Sequence, residues 1–264
     1  MLNRLTKLFE NNRENLLTVY FTAGYPKLDD TETIICSLAE SGANIIEIGI
    51  PYSDPLADGP VIQQSGMAAI DGGMTLQVLF NQLTDIRTKT QVPLILMGYF
   101  NQLLQYGVDK FLDDCVKTGI DGLIIPDLPL MEYEQFYKDK LTQRNISISF
   151  LITPQTEESR IHKVDALSTG FIYVVSDSSI TGMKTGISNH QISYFERIKS
   201  LQLSTPQLIG FGISDRESYL TASKYANGAI IGSAFIKHLK DKNEVDKATA
   251  DFIDFCLHSS KINK

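Results

Sequence analysis

Eight short, strongly apolar runs recur along the chain, each followed by a stretch of helical period, and few folds accept that pattern. The runs are Leu16–Ala23, Asn44–Pro51, Val92–Tyr99, Gly122–Leu128, Ile146–Thr153, Phe171–Ser176, Gln207–Ile213 and Ala229–Gly232. The helical stretches are Asp29–Ser41, Met74–Thr90, Val108–Lys117, Met131–Gln143, Glu157–Leu167, Gln191–Leu201, Arg216–Tyr225 and Glu244–Leu257. Most of the runs are apolar on both faces, as parallel strands are when helices cover the sheet. Unbroken alternation implies right-handed βαβ crossovers. Eight units in 264 residues average about 33 each, the size of one repeat in a closed barrel. An open doubly wound sheet usually carries a glycine-rich turn after its first strand, and Ala23-Gly24-Tyr25-Pro26 is not GxGxxG. The expectation is an α/β chain: a single (β/α)8 TIM barrel over residues 1–264, with an N-terminal helix and short extra helices in the βα loops.

Charge and cysteine usage narrow the partners. With 24 Lys+Arg against 31 Asp+Glu the formal charge is −7, which argues against a nucleic-acid partner because phosphate neutralisation needs a basic face. A small anionic ligand remains open, since backbone N–H groups bind phosphate without net positive charge. Cys36, Cys115 and Cys256 form neither a disulfide framework nor a CxxC pair, so a reducing cytoplasm is expected. His162, His190, His238 and His258 are scattered, and no metal site is expected. Met1–Asn15 lacks the apolar run of a secretory signal, and no segment approaches the roughly 18 apolar residues of a membrane span.

In a (β/α)8 barrel the chemistry sits at the C-terminal ends of the strands. Glu47 lies inside Asn44-Ile-Ile-Glu-Ile-Gly-Ile-Pro51, where period-two alternation opposes Glu47 and Gly49 to Ile46, Ile48 and Ile50. The isoleucines belong against helices, so the glutamate points into the barrel mouth. A buried carboxylate there is either a satisfied ion pair or an acid–base group with its pKa raised toward neutrality. The loop Pro51-Tyr-Ser-Asp-Pro-Leu-Ala-Asp-Gly-Pro60 is stiffened by its prolines and carries Asp54 and Asp58. Asp54, before Pro55, suits a turn role; Asp58 suits a turn or a second functional carboxylate. Tyr99 and Asn101 end the third run, Asp127 ends the fourth, and Tyr173 falls in the sixth. Tyr20, Met97 and Ile124 would line a pocket for a flat apolar ligand. Three late loops, Ser178–Gly186, Gly210–Ser214 and Gly232–Phe235, supply small residues whose N–H groups can approach a phosphate. On these residues alone a phosphosugar isomerase or epimerase stays open beside an enzyme acting on an aromatic phosphate ester.

Taken together, Glu47-Ile-Gly-Ile-Pro-Tyr-Ser-Asp-Pro-Leu-Ala-Asp-Gly-Pro60 with Gln63, Gly119–Pro129, Thr181-Gly182, Gly210–Ser214 and Gly232-Ser233 make the chain resemble the tryptophan synthase alpha chain, or indole-3-glycerol-phosphate lyase, family. The resemblance runs over essentially the whole chain. It implies a TIM barrel that splits indole-3-glycerol phosphate by retro-aldol cleavage into indole and glyceraldehyde 3-phosphate. It implies no cofactor in this chain, and a beta chain holding pyridoxal phosphate that receives the indole in an α2β2 heterotetramer. Residue by residue, it implies Glu47, Asp58 and Tyr173 as catalytic, and Thr181, Gly182, Gly212, Gly232 and Ser233 around the phosphate. Tyr20, Met97, Tyr99, Ile124, Asp127 and Phe211 complete the expected substrate site. The Thr181–Gly186 loop, with two glycines, is expected to act as a lid that excludes water. Gln102 follows Asn101 where relatives commonly have proline, and Ser179 stands where glycine is frequent.

Overall fold

Every apolar run forms a parallel strand. A computed structural model describes residues 3–55, 58–176, 187–210 and 212–258. The strands are β1 Leu16–Thr22, β2 Ile45–Gly49, β3 Leu94–Met97, β4 Gly122–Ile124, β5 Ser147–Ile152, β6 Ile172–Val175, β7 Gln207–Gly210 and β8 Gly228–Ile231. They pair in chain order, and β1 closes on β8 through Leu16 opposite Gly228 and Val19 opposite Ile231. Alternation along the strands separates two apolar layers. Val19, Phe21, Ile46, Ile48, Leu94 and Leu96 pack outward under the helices. Tyr20, Ile45, Ile95, Ile124, Phe171, Tyr173, Leu208 and Ile230 fill the lumen.

The N-terminal end of the barrel is plugged. The helix Arg4–Asn11, capped by Asn3 accepting from the Thr6 N–H, buries Leu5 and Phe9 beneath the lumen, with the Phe9 and Phe171 rings 6.3 Å apart. Asp121, at the foot of β4 and 1% exposed, pairs with Arg87 at 2.7 Å and Arg4 at 3.2 Å and accepts from the Leu94 N–H. Buried charge at this face serves stability.

Three expected elements differ. The stretch Met74–Thr90 is two helices, Leu76–Gln82 and Ile86–Lys89, because the chain turns at residues 83–85 and Thr84 bonds back to the Phe80 carbonyl. The second helix thereby aims Arg87 at Gly119, Val92 and Asp121. The fourth run leaves the sheet after Ile124, since Pro126 has no N–H to donate to a ladder and Leu128 closes a turn on Ile125. The stretch Met131–Gln143 starts at Leu130 and contains a wide π-type turn at Tyr133–Tyr137. Two helices in the βα loops, Pro60–Asp71 and Phe100–Tyr106, carry the site residues' supports; Pro60 at the first helical position was the available signal for the former.

Candidate active site

The side chain of Glu47 projects into the lumen from the middle of β2. It is fully buried, and among the described residues neither carboxylate oxygen has a hydrogen-bond partner. Burial with nothing to compensate the charge pushes Glu47 from its ordinary 4.5 up to about 8. Its neighbour in register is Tyr20 on β1. Tyr20 and Tyr173 are both buried, and burial holds both hydroxyls well above their ordinary 10, with the charges of Glu47 and Asp58 adding to the effect. The charges of Glu47 and Asp58 thus act on the same two hydroxyls.

The two tyrosines fit because glycine stands opposite each. A Cβ on Gly49 would collide with the Tyr20 hydroxyl, and one on Gly210 with the Tyr173 hydroxyl. Met97 packs half-buried against this lumen cluster, of which Ile124 is a buried member. The structure therefore brings Tyr20, Glu47, Met97, Ile124 and Tyr173 together.

Asp58 arrives from the loop after β2. The Tyr99 hydroxyl donates to its Oδ2 at 3.1 Å, and Gln63 Nε2 donates to its backbone carbonyl at 2.8 Å. The helix that follows is anchored to β1 by a 2.7 Å bond between the Ser65 and Thr22 hydroxyls. Burial raises the Asp58 carboxyl, and the Tyr99 donor opposes the rise. The two acids thus occupy unlike settings, one isolated in the lumen and one half-exposed with a donor. Asp54 is exposed and, among the described residues, accepts locally from Ser53, in keeping with a turn role.

Beyond these, the rim residues divide. Tyr99 caps the helix Phe100–Tyr106 rather than ending β3, and its ring stacks on Tyr52 at 5.1 Å. Asn101 is exposed and donates to the Tyr52 hydroxyl. Asp127 is exposed beyond the end of β4, and its Oδ1 accepts from the Phe100 N–H at 2.8 Å, so this oxygen caps a helix. Gly212, with φ +76°, follows β7; Gly232 and Ser233 open the helix Ser233–Leu239 after β8. A Cβ on Gly232 would lie 3.3 Å from the Tyr20 ring. Thr181, Gly182 and Phe211, and the whole Thr181–Gly186 segment, lie outside the described residues. Gln102 was not singled out as functional from the sequence, although a Gln three residues after a helix cap is a readable capping signal. Among the described residues no group of three His, Cys, Asp or Glu could hold a metal ion, and no helix is long and apolar enough to cross a membrane.

A family model described as "Tryptophan synthase alpha chain" matches residues 5–262. This chain belongs to the tryptophan synthase alpha chain family. A tryptophan synthase alpha chain of Christiangramia forsetii is 52% identical over 91% of this chain and 93% of its own length. One of Flavobacterium johnsoniae is 53% identical over 91% and 94%. In a tryptophan synthase complex from Pyrococcus furiosus, a chain of 31% identity superposes with a TM-score of 0.84, covering 93% of this chain and 99% of that one. Family membership gives the protein the alpha-subunit function in tryptophan synthesis, as a carbon–carbon lyase.

Proposed function

We propose that Glu47 and Asp58 divide the work of the alpha reaction, cleavage of indole-3-glycerol phosphate to indole and glyceraldehyde 3-phosphate. The observation that carries this reading is the contrast between an unpartnered lumen glutamate raised to about 8 and an aspartate held at the rim by Tyr99. At neutral pH Glu47 is largely protonated and can deliver its proton to the ring carbon that bears the glycerol chain. The ring becomes an indolenine-like cation. The regenerated carboxylate then takes the proton of the adjacent side-chain hydroxyl as the carbon–carbon bond breaks. The bonding electrons return to the ring, the hydroxyl carbon becomes the aldehyde, and Glu47 ends as it began. In its ionised form, which the Tyr99 donor favours, Asp58 accepts a hydrogen bond from the indole N–H and stabilises the cation.

Tyr20, Met97, Tyr99 and Ile124 offer an apolar cleft to the indole, with Tyr173 beside the reacting carbons and Asp127 positioning the rim helix. Gly212, Gly232 and Ser233, with Thr181, Gly182 and Phe211, are the proposed surroundings of the phosphate and substrate. Anchoring the ester at β7 and β8 fixes the scissile bond over Glu47. The partner is the beta chain of tryptophan synthase in an α2β2 assembly; pyridoxal phosphate belongs to that chain, and this one needs no cofactor. Support for a docking surface comes from exposed Leu104, Met131 and Phe136 on the helices after β3 and β4, which meet through Phe100 and Tyr137 at 5.3 Å. A cytoplasmic setting accords with the free thiols of Cys36, Cys115 and Cys256.

Asp58→Asn tests the division of labour. The variant should bind substrate with KM within about threefold and lose turnover by about 10²-fold or more. Wild-type turnover with only a lower melting temperature would reduce Asp58 to a turn residue.

A further inference from the structure

At the rim between β2 and β3, one side chain fastens two loops to each other. Gln102 Oε1 accepts from the Tyr99 N–H at 2.9 Å, and its Nε2 donates to the Pro51 carbonyl at 2.8 Å. Pro51 opens the loop that carries Asp58, and Tyr99 bears the hydroxyl that meets Asp58 Oδ2 at 3.1 Å. The amide needs room, which Gly98 supplies: a Cβ there would lie 3.0 Å from Gln102 Oε1 and 2.8 Å from Ile50. We propose that Gln102 is a positioning residue for the cleavage, bridging the two loops so that the Tyr99 hydroxyl is delivered to Asp58. The proposal rests on the reading of Asp58 given above.

A helix cap alone would not be tied to Pro51 on a different loop, nor lead by two bonds to the same carboxylate. The bridge closes a ring: Pro51 to Gln102, Gln102 to Tyr99, Tyr99 to Asp58, and Asp58 back along the chain to Pro51. Ties at Pro51 and at Tyr99 restrict both partners of the Tyr99–Asp58 bond at once, which is how supporting contacts hold a functional group to a fraction of an ångström. The groups that face Asp58 electrostatically are Tyr99 from the β3 end, Tyr20 from β1 and Tyr173 from β6, with Glu47 on β2 coupled to the same two lumen tyrosines. Tyr99 is the donor that favours the ionised form of Asp58, so loosening it makes Asp58 easier to protonate.

Gln102 is half-buried beside a cavity of about 280 Å³ that Pro51, Tyr52 and Leu79 also line, which gives a replacement side chain space to settle. The test uses the full chain with its beta partner present, and variants Gln102→Met, Gln102→Glu, Tyr99→Phe and Gln102→Met/Tyr99→Phe. Gln102→Met should lower kcat about tenfold with KM within about twofold, and move the acidic limb of kcat/KM toward higher pH. Tyr99→Phe should do the same, and the double variant should be no worse than Tyr99→Phe alone. Gln102→Glu keeps an acceptor for the Tyr99 N–H and should recover part of the rate. A Gln102→Met enzyme with unchanged kcat, an unmoved acidic limb, or a loss that adds in full to that of Tyr99→Phe overturns the proposal. These outcomes are separable from failure of the underlying reading: Asp58→Asn at wild-type rate sinks that reading, whereas an inactive Asp58→Asn beside a normal Gln102→Met sinks only this inference.

Discussion

Replacing Glu47 by glutamine removes the ionisation and keeps the shape, and its largest physical consequence is a change in how stability depends on pH. In the folded protein the carboxyl is raised to about 8 by burial, against an ordinary 4.5. The native state therefore holds this proton more tightly than the unfolded chain does. The sign follows: the group's stabilising contribution is complete below pH 4.5 and is lost as pH rises through about 8. At 1.36 kcal/mol per pH unit the full loss is about 5 kcal/mol, with about 3 kcal/mol already gone at pH 7 and less than about 1 at pH 5. Every other titrating group is common to both proteins, so the difference between them isolates position 47. Urea unfolding of wild type and Glu47→Gln at pH 5, 7 and 9 should show the variant gaining on wild type by about 4 kcal/mol from the lowest pH to the highest. Turnover should move oppositely: the variant should lose about 10²- to 10⁴-fold while still binding substrate, and wild-type kcat/KM should decline above pH about 8 as the proton donor is lost. A stability difference that stays constant from pH 5 to 9 would mean that Glu47 is ionised and paired, and the acid–base argument would fall with it. Near-native turnover in the variant would remove Glu47 from the mechanism on separate grounds.

Three further perturbations probe the frame around the acids. Gly49→Ala drives a methyl group into the Tyr20 hydroxyl and should cost about 1–3 kcal/mol, but little in a Tyr20→Ala background; equal costs in both would show that the ring is not what Gly49 accommodates. Asp121→Ala strips Arg4 and Arg87 of their buried partner and should cost about 3 kcal/mol in unfolding measurements with kcat unchanged below the melting temperature, as expected at the face of the barrel opposite the chemistry. Gly232→Asp places a carboxylate at the β8 helix start and should raise KM for the phosphorylated substrate about tenfold or more by charge repulsion; an unchanged KM would relocate the phosphate.

Much of this was readable from residue order. The barrel followed from eight runs apolar on both faces, and the lumen position of Glu47 followed from parity with Gly49 against flanking isoleucines. Other features were not readable, each for a definite reason. The helix expected over Met74–Thr90 carries an unbroken helical pattern, yet the chain turns at residues 83–85, and the turn sets Arg87 on Gly119 and Asp121, more than thirty positions on, which no local pattern can show. Asp127 reads as the end of the fourth strand; Pro126 takes it out of the sheet, and its Oδ1 meets the Phe100 N–H on a neighbouring loop, a contact that no local pattern announces. Gln102 carried only a local capping signal, because its second bond goes to Pro51, which no local pattern connects to it.

Periodicity and the placement of proline and glycine, both local properties, were enough to determine the number of βα units, the closure of the barrel and which residues face its interior. Only the tertiary structure decided that, among the described residues, Glu47 has no hydrogen-bond partner while Asp58 has one. Hydrogen bonding and desolvation depend on which loops meet at the rim, so two carboxylates that are chemically alike in the chain come to differ by the company each keeps there: burial raises both, and only Asp58 has a donor, Tyr99, that opposes the rise.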